Sequence, residues 1–353
     1  MNRCHKFTWY TTAFLLVFSV TLTKGQTLKP VQMPAGCLDS IPDLMKRYKV
    51  PVVAASVFEN GKIKETKVFG RLANGSPANI NTLFNVASLT KPVTALLTLK
   101  LIDAGKLDLD EPLYKYWIDP DLKPDERYKR LTARIILSHQ TGFPNWRSQN
   151  PDKKLAFMFD PGTKYSYSGE GYEYLRHALE SKFHRSLQQL ADSVLFTPLS
   201  MKNTRYGWSD RLDSARFADP HDTKGERIKM VKITQTIAAD WLVTTISDYT
   251  KFGLAVLTGT ALSPETFAQM VSPQVEMKPG TVENMGLGWE VMTPLENGEY
   301  LLMHTGADDG VKTLIILLPQ SKRGIILFTN GNNGFELVKN IIKNAFHFKE
   351  LTP

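Results

Sequence analysis

The chain carries strand-like sequence at both ends and helix-like sequence between them. Val50-Pro51-Val52-Val53-Ala54-Ala55-Ser56-Val57-Phe58 is rich in β-branched residues, which favour a pleated strand. Glu59-Asn60-Gly61-Lys62 reads as a hairpin turn, and 63–69 returns as its partner. Far along the chain, 288–292, 300–304, 311–318 and 324–329 read as short strands, with turn signals at Asn297-Gly298 and Pro319-Gln320-Ser321. The middle has helical spacing instead. Apolar residues recur through Leu96, Leu97, Leu99, Leu101 and Ile102, with Pro92 early in the run and Gly105 at its end. Further helices are expected over 132–138, 171–182, 186–196 and 248–257, the last capped by Ser247. Residues 40–46 open the chain as a short helix, and 335–348 close it as an amphipathic one. The expected fold is α/β (α+β): an antiparallel sheet built from both chain ends, flanked by helices, with a large mostly helical insertion. Within a domain spanning 26–345, the sheet part is expected at 37–80 and 285–347, and the helical part at 81–284.

The N-terminus has its own character. Arg3 and Lys6 precede the apolar run AFLLVFSVTL at 13–22. That run is short for a bilayer span and fits the core of a signal peptide at 1–25. An exported protein, periplasmic or secreted, with no stable transmembrane segment after processing, is expected. Cys4 falls in this leader, so Cys37 stands alone in the processed chain and no intrachain disulfide forms. The net charge is +8, and removing 1–25, which carries Arg3, Lys6 and Lys24 and no acid, leaves +5. The lysines are scattered and mixed with acids, with no basic arm, so nucleic acid is not an expected partner. No metal site is expected: H-E-x-x-H is absent, Asp308-Asp309-Gly310 is too short for a calcium loop, and His221 with Asp219 and Asp222 reads as a solvated loop. G-x-S-x-G is absent as well.

Three clusters offer chemistry. Ser88 and Lys91 lie three apart at a helix start, on one face and about one turn from each other. A serine hydroxyl needs a base to become a nucleophile, and a lysine with a depressed pKa supplies one. In isolation the same spacing describes a helix cap followed by a surface lysine. The second cluster is the loop Pro161-Gly162-Thr163-Lys164-Tyr165-Ser166-Tyr167-Ser168-Gly169. Its Tyr167 relays a proton if cations neighbour the phenol, and otherwise packs as an aromatic clamp. The third is His304-Thr305-Gly306-Ala307, directly after the 300–303 strand. There His304 is expected to place positive charge beside Tyr167 or a substrate carboxylate. The Ala307 N–H is expected to join that of Ser88 as an oxyanion hole.

Taken in order, these motifs resemble the serine beta-lactamase and penicillin-binding protein superfamily. The closer resemblance is to its class C beta-lactamase-related branch, which includes D-alanyl-D-alanine carboxypeptidases, D-aminopeptidases and esterases. Phe84-Asn85-Val86-Ala87-Ser88-Leu89-Thr90-Lys91 is similar to the nucleophile motif. Leu137-Ser138-His139-Gln140-Thr141-Gly142-Phe143-Pro144 is similar to the segment before the second motif, 161–172 to the tyrosine region, and His304-Thr305-Gly306 to the K-T-G element. The resemblance covers roughly 40–345. It implies a beta-lactamase/transpeptidase-like fold, Ser88 as acylated nucleophile, Lys91 and Tyr167 as proton carriers, and His304 in the place usually held by lysine. Substrate contacts are expected at Gly169, Thr305, Gly306 and Ala307, and at Trp146, which either stacks on an acyl group or packs as an ordinary tryptophan; the resemblance implies no cofactor or metal. Two departures stand out. The Y-x-N motif ends here in Gly169, which has no amide to orient Lys91, and His304 lacks a permanent charge. Both turn the expectation from efficient beta-lactam hydrolysis towards a serine hydrolase of esterase or D-peptidase type. Its substrate would be a small ester, an amide or a cell-wall peptide, and the protein is expected to be a monomer. The competing reading is a noncatalytic cell-envelope protein that binds peptidoglycan or another ligand in the same pocket.

Overall fold

The computed structural model describes residues 32–346; the leader expected at 1–25 lies outside them. The elements in chain order are α1 (Ile41–Tyr48), β1 (Val52–Glu59), β2 (Lys62–Gly70), β3 (Leu83–Asn85), α2 (Thr90–Asp103), α3 (Ala133–Leu137), α4 (Gly169–Phe183), α5 (Leu187–Ala191), β4 (Arg205–Tyr206) and β5 (Leu242–Thr245). There follow α6 (Ile246–Leu257), α7 (Pro264–Val271), β6 (Val275–Glu276), β7 (Glu283–Met285), β8 (Glu290–Met292), β9 (Leu301–Asp308), β10 (Val311–Leu318), β11 (Arg323–Thr329) and α8 (Gly334–Ala345).

The main sheet runs β2-β1-β11-β10-β9-β8-β7-β6, antiparallel throughout. Strands from early and late in the chain meet inside it, where β1 pairs with β11 over Val53↔Thr329 to Phe58↔Gly324. This pairing explains the unbroken apolar run of β1. Val53, Ala55 and Val57 pack on one face with Leu314, Ile316, Leu337 and Ile341, under α1 and α8. Ala54 and Phe58 pack on the other with Ile315, Ile326, Leu96 and Phe252, under α2 and α6. A strand buried on both faces has no reason to alternate. Each large side chain so buried contributes about 1.5–3 kcal/mol.

The fold agrees with the expected class, and several details differ from the sequence reading. The sheet extends through β6 and β7, so its strands begin before residue 285. A second, three-stranded sheet of order β3-β5-β4 joins the helical layer and was not foreseen. Its strands are two to four residues long, too short for a period to register. The cap of α6 is Thr245, whose hydroxyl accepts from the Asp248 N–H, rather than Ser247. β9 continues to Asp308, so His304 lies inside a strand and not at its end. Among the described residues no helix is long and apolar enough to cross a membrane.

α2 is buried along almost its whole length because it lies between the sheet and the helical layer. One glycine keeps that packing close. Gly288 has φ +83°, and a Cβ there would stand 2.2 Å from the Ala95 Cβ of α2. Its N–H donates to the Leu137 carbonyl of α3 at 2.8 Å. Gly288→Ala is expected to cost at least about 2 kcal/mol, through overpacking and left-handed strain together. Denaturant midpoints measure this, and a variant of wild-type stability would show that α2 is not held this tightly.

Candidate active site

The nucleophile turn is built by the junction of β3 and α2. Residues 87–89 form a single 3₁₀ turn, and Ala87 sits at φ +48°, a strained value for a residue with a side chain. Its surroundings fix it on every side. Asn85 Oδ1 accepts the Ala87 N–H at 2.8 Å, and Thr90 Oγ1 donates to the Ala87 carbonyl at 2.6 Å. Thr313 Oγ1 of β10 donates to the Val86 carbonyl at 2.9 Å, and the Tyr249 hydroxyl of α6 donates to the Leu89 carbonyl at 2.8 Å. From Thr82 to Leu99 every residue is buried except Ser88, which is half-buried. The helix-cap reading fails here, since no side chain caps α2.

Lys91 is 1% exposed. Its Nζ donates to Ser88 Oγ at 3.1 Å and to the Ala239 carbonyl at 2.9 Å. Burial drives its pKa down to about 8, against the opposing fields of Asp240, Glu173 and Asp308. The surface-lysine reading fails as well.

Tyr167 projects from a loop pinned to the 139–145 segment. The Ser166 N–H donates to the His139 carbonyl at 2.8 Å, and the Ser168 N–H to His139 Nδ1 at 3.1 Å. Ser168 Oγ donates to the Pro144 carbonyl at 2.7 Å. The His139 ring lies 4.4 Å from that of Tyr167, and Lys91 Nζ stands 4.6 Å above the Tyr167 ring centre. Burial raises the phenol pKa above its ordinary value, although a hydrogen bond with Ser88 opposes the rise. The phenol therefore stays protonated in the resting site.

His304 is 1% exposed on β9. Its Nδ1 lies 2.8 Å from the Thr305 carbonyl, which can only accept, so Nδ1 carries the hydrogen. Nε2 is then a bare acceptor, buried and without a partner among the described residues. Burial, reinforced by the nearby Lys91, pushes the imidazole pKa down to about 3. The expected positive charge is absent: this histidine is neutral, because a second cation beside Lys91 in a dry site is unfavourable.

The remaining substrate-contact expectations divide. Gly306 fits tightly: a Cβ there would stand 2.3 Å from Thr313 Oγ1 and 2.4 Å from the Val86 carbonyl oxygen. β9 pairs with β8 only at 301–303, which leaves 304–308 without a strand partner on that side among the described residues. The β9–β10 hairpin closes on Asp308 and Val311 across two residues. Strand alternation then turns the N–H and C=O groups of Thr305 and Ala307 outward, away from β10. The Thr305 side chain faces the other way, into a cavity of about 500 Å³ beside α8 that also touches Met303 and Ile342. It is not brought to Ser88. Trp146 packs against Gly169: a Cβ on Gly169 would lie 2.8 Å from its indole edge. The indole occupies the space where a longer side chain at 169 would begin. Arg147 anchors this loop through ion pairs to Asp119, Asp121 and Glu170.

Sequence reasoning missed several neighbours. His139 was visible only as part of a motif string, and Asp308 only as half of a failed calcium loop. Asp240 carried no signal at all. Burial, followed by the field of the Asp308 carboxylate, pushes Asp240 up to about 7. Asn85 Nδ2 donates to Asp308 Oδ2 at 2.7 Å. His221 is occupied elsewhere, with Nδ1 3.2 Å from the Asn330 carbonyl. Among the described residues no group of His, Cys, Asp and Glu is arranged to hold a metal ion. Cys37 is a buried free thiol, away from this site in the core under α1 and α8.

A sheet edge and a helical layer converging on one half-buried serine beside a buried lysine define a serine-hydrolase-related fold, in a superfamily that acts on ester, amide or peptide bonds. The chain belongs to the beta-lactamase family, whose model matches residues 39–346, and to the class-C-related branch of the beta-lactamase and penicillin-binding protein superfamily. It is 26% identical over 326 residues to penicillin-binding protein 4* of Bacillus subtilis, covering 82% of this chain and 70% of that protein. It is 23% identical over 351 residues to the D-alanyl-D-alanine-carboxypeptidase/endopeptidase AmpH of Escherichia coli, covering 87% of each. Its fold is similar to the octameric penicillin-binding protein homologue from Pyrococcus abyssi, with TM-score 0.73 and 21% identity over 88% of this chain and 78% of that one. It is similar also to the D-alanine carboxypeptidase AmpC from Burkholderia cenocepacia, with TM-score 0.72 and 20% identity over 87% of this chain and 97% of that one.

The two buried imidazoles give stability a defined pH dependence. His139 is held well below its ordinary pKa by burial, and His304 at about 3. Both are neutral when folded and bind a proton when unfolded, so the unfolded chain holds more protons between about pH 6.5 and 3. Stability therefore falls as pH falls through that window, by up to about 1.4 kcal/mol per pH unit for each ring. His304→Gln removes one ring and is expected to flatten the slope by that amount in denaturation curves between pH 4 and 6, by order of magnitude. Identical slopes would mean that His304 is charged in the folded protein.

Proposed function

We propose that the protein is a serine hydrolase that cleaves an ester or amide through an acyl-enzyme on Ser88. The observation that carries this reading is the 3.1 Å contact between Lys91 Nζ and Ser88 Oγ, made by a buried amine whose pKa is near 8. An amine so tuned is neutral in a useful fraction at mild pH and can take the serine proton.

In this mechanism Ser88 Oγ attacks the substrate carbonyl carbon, and its proton passes to Lys91. The carbonyl oxygen becomes an oxyanion, received by the N–H groups of Ser88 and Ala307. The outward turn of Ala307 on an unpaired strand edge supports its part in this. The Tyr167 phenol, kept protonated by burial, gives its proton to the leaving oxygen or nitrogen and recovers one from Lys91. Water then attacks the acyl carbon and loses a proton to the same pair, and Ser88 leaves protonated. His304 contributes a neutral acceptor at Nε2, suited to a hydroxyl, an amide N–H or a water rather than to a carboxylate. The absence of a cation there favours an esterase or D-peptidase over an efficient beta-lactamase. The named activity of the AmpH relative supports a peptide substrate. The basic and apolar N-terminal sequence supports export to the periplasm or beyond, where cell-wall peptides are found.

Intact mass after exposure to a fluorophosphonate or a penicillin-type probe tests the reading. One covalent adduct is expected, and none in Ser88→Ala. The acylation rate should rise with pH through about 8, as Lys91 loses its proton, with no step near 6.5 from a histidine. Lys91→Met is expected to slow acylation by at least 100-fold. A folded wild-type protein that neither labels nor turns over esters and D-peptides would favour the noncatalytic alternative.

A further inference from the structure

Lys91 takes its direction from a backbone carbonyl. Its Nζ donates to the Ala239 carbonyl at 2.9 Å and to Ser88 Oγ at 3.1 Å. A neutral amine has two N–H groups and one lone pair. With one N–H fixed on the carbonyl, the lone pair can turn to the Ser88 proton. The place of the Ala239 carbonyl therefore bears directly on how Lys91 works as a base. Gly169 has no side chain to take over that task.

Ala239 lies between two fastenings. Downstream, the Leu242 N–H donates to Thr90 Oγ1 at 3.0 Å, and the Leu242 carbonyl accepts the Val86 N–H at 3.1 Å. Upstream, both backbone groups of Ala238 are engaged. Its carbonyl accepts from Thr94 Oγ1 of α2 at 2.7 Å, and its N–H donates to Glu173 Oε1 of α4 at 2.5 Å. Glu173 is held in turn. Its Oε2 accepts from Arg176 Nε at 2.8 Å, and Arg176 Nη1 donates to Glu180 Oε2 at 2.9 Å. Glu180 Oε1 accepts the Leu187 N–H, at the start of α5, at 2.8 Å. A Glu–Arg pair three apart on a helix ordinarily faces water and steadies only the helix. Here the two side chains are only 13% and 17% exposed, and one carboxylate oxygen leaves the helix to hold another segment.

The same helix also follows the tyrosine. Tyr167 stands one residue before Ser168, the N-cap of α4, whose Oγ accepts the Gly171 N–H at 3.1 Å, and Glu173 lies in the second turn. One end of α4 thus bears on Tyr167, and its flank bears on the acceptor of Lys91. We propose that Glu173 is a positioning residue for Lys91: it holds the Ala238 N–H and so sets the Ala239 carbonyl that directs the lysine amine to Ser88. This rests on the reading of Ser88 as nucleophile and Lys91 as its base. Charge gives secondary support. The fields of Asp240, Glu173 and Asp308 oppose the effect of burial on Lys91, while His139 and His304 are neutral.

The test separates reach from charge at position 173, through the pH profile of Ser88 acylation by a fluorophosphonate. Glu173→Gln keeps a side-chain oxygen at the same reach and loses the charge. Glu173→Asp keeps the charge and is one methylene shorter. Glu173→Ala loses both. Above the Lys91 midpoint the amine is neutral in every variant, so the plateau rate there reports its position. That plateau is expected to fall at least about tenfold in Glu173→Ala, with little change in KM for an ester substrate. Glu173→Asp falls by a similar factor and serves if Glu173→Ala does not fold, while Glu173→Gln stays within about threefold of the wild type. Loss of the anion disfavours the ammonium, so the profile moves to lower pH in Glu173→Gln and Glu173→Ala and not in Glu173→Asp. A wild-type plateau in folded Glu173→Ala, or in Glu173→Asp where the alanine variant does not fold, overturns the proposal and leaves the hydrolase reading intact. A plateau reduced as far in Glu173→Gln as in Glu173→Ala also overturns it, since charge and not the hydrogen bond would then act. A wild type that never acylates removes the hydrolase reading, and this proposal with it.

Discussion

The close approach of β9 to the nucleophile turn is the constraint on which the site depends. Gly306 has no room for a Cβ, because the Val86 carbonyl and Thr313 Oγ1 occupy that space. This contact locks the turn before α2 against the sheet edge, and Thr313 completes the lock by donating to Val86. Ser88 is thereby the one residue of a buried eighteen-residue stretch that faces the seam between sheet and helical layer. The unpaired run of β9 beside it offers a backbone edge, and a substrate in extended form can add to such an edge. The strain at Ala87 is held by partners from β3, α2, β10 and α6, so the turn is over-determined rather than loose.

Burial then sets the protonation states with little further design. The same desolvation lowers Lys91, lowers His139 and His304, and raises Tyr167. Each shift favours the uncharged form. A neutral amine and a protonated phenol are the forms that can accept and donate a proton in turn, whereas a permanently charged neighbour would bias every step. A neutral histidine at position 304 is consistent with this arrangement.

The architecture was legible in the sequence wherever periodicity had length to act. The paired strands at the two ends, the helical middle and the closing helix all follow from apolar patterning. The short strands β3, β4 and β5 were not legible, since two to four residues carry no period. Ser88, Lys91, Tyr167 and His304 were legible as residue types in order, and the folded chain gathers them. Their charge states were not: the cationic reading of His304 assumed a solvated ring, and only burial corrects it. Asp240 was invisible for a different reason. An aspartate in a connection looks like a solvated turn residue, and the charges that act on it, Asp308 and Lys91, lie far away in the sequence.

Position 169 shows how a serine–lysine pair persists beside an altered neighbour. Gly169 carries no amide, yet Lys91 Nζ keeps two acceptors, Ser88 Oγ at 3.1 Å and the Ala239 carbonyl at 2.9 Å. A buried amine short of acceptors would be unfavourable, and these two hold it without a side chain at 169. The Trp146 indole fills the space in which such a side chain would begin. A flat aromatic ring offers shape and stacking where an amide would offer hydrogen bonds. The same fold can thus keep its serine–lysine pair while the chemistry around it changes.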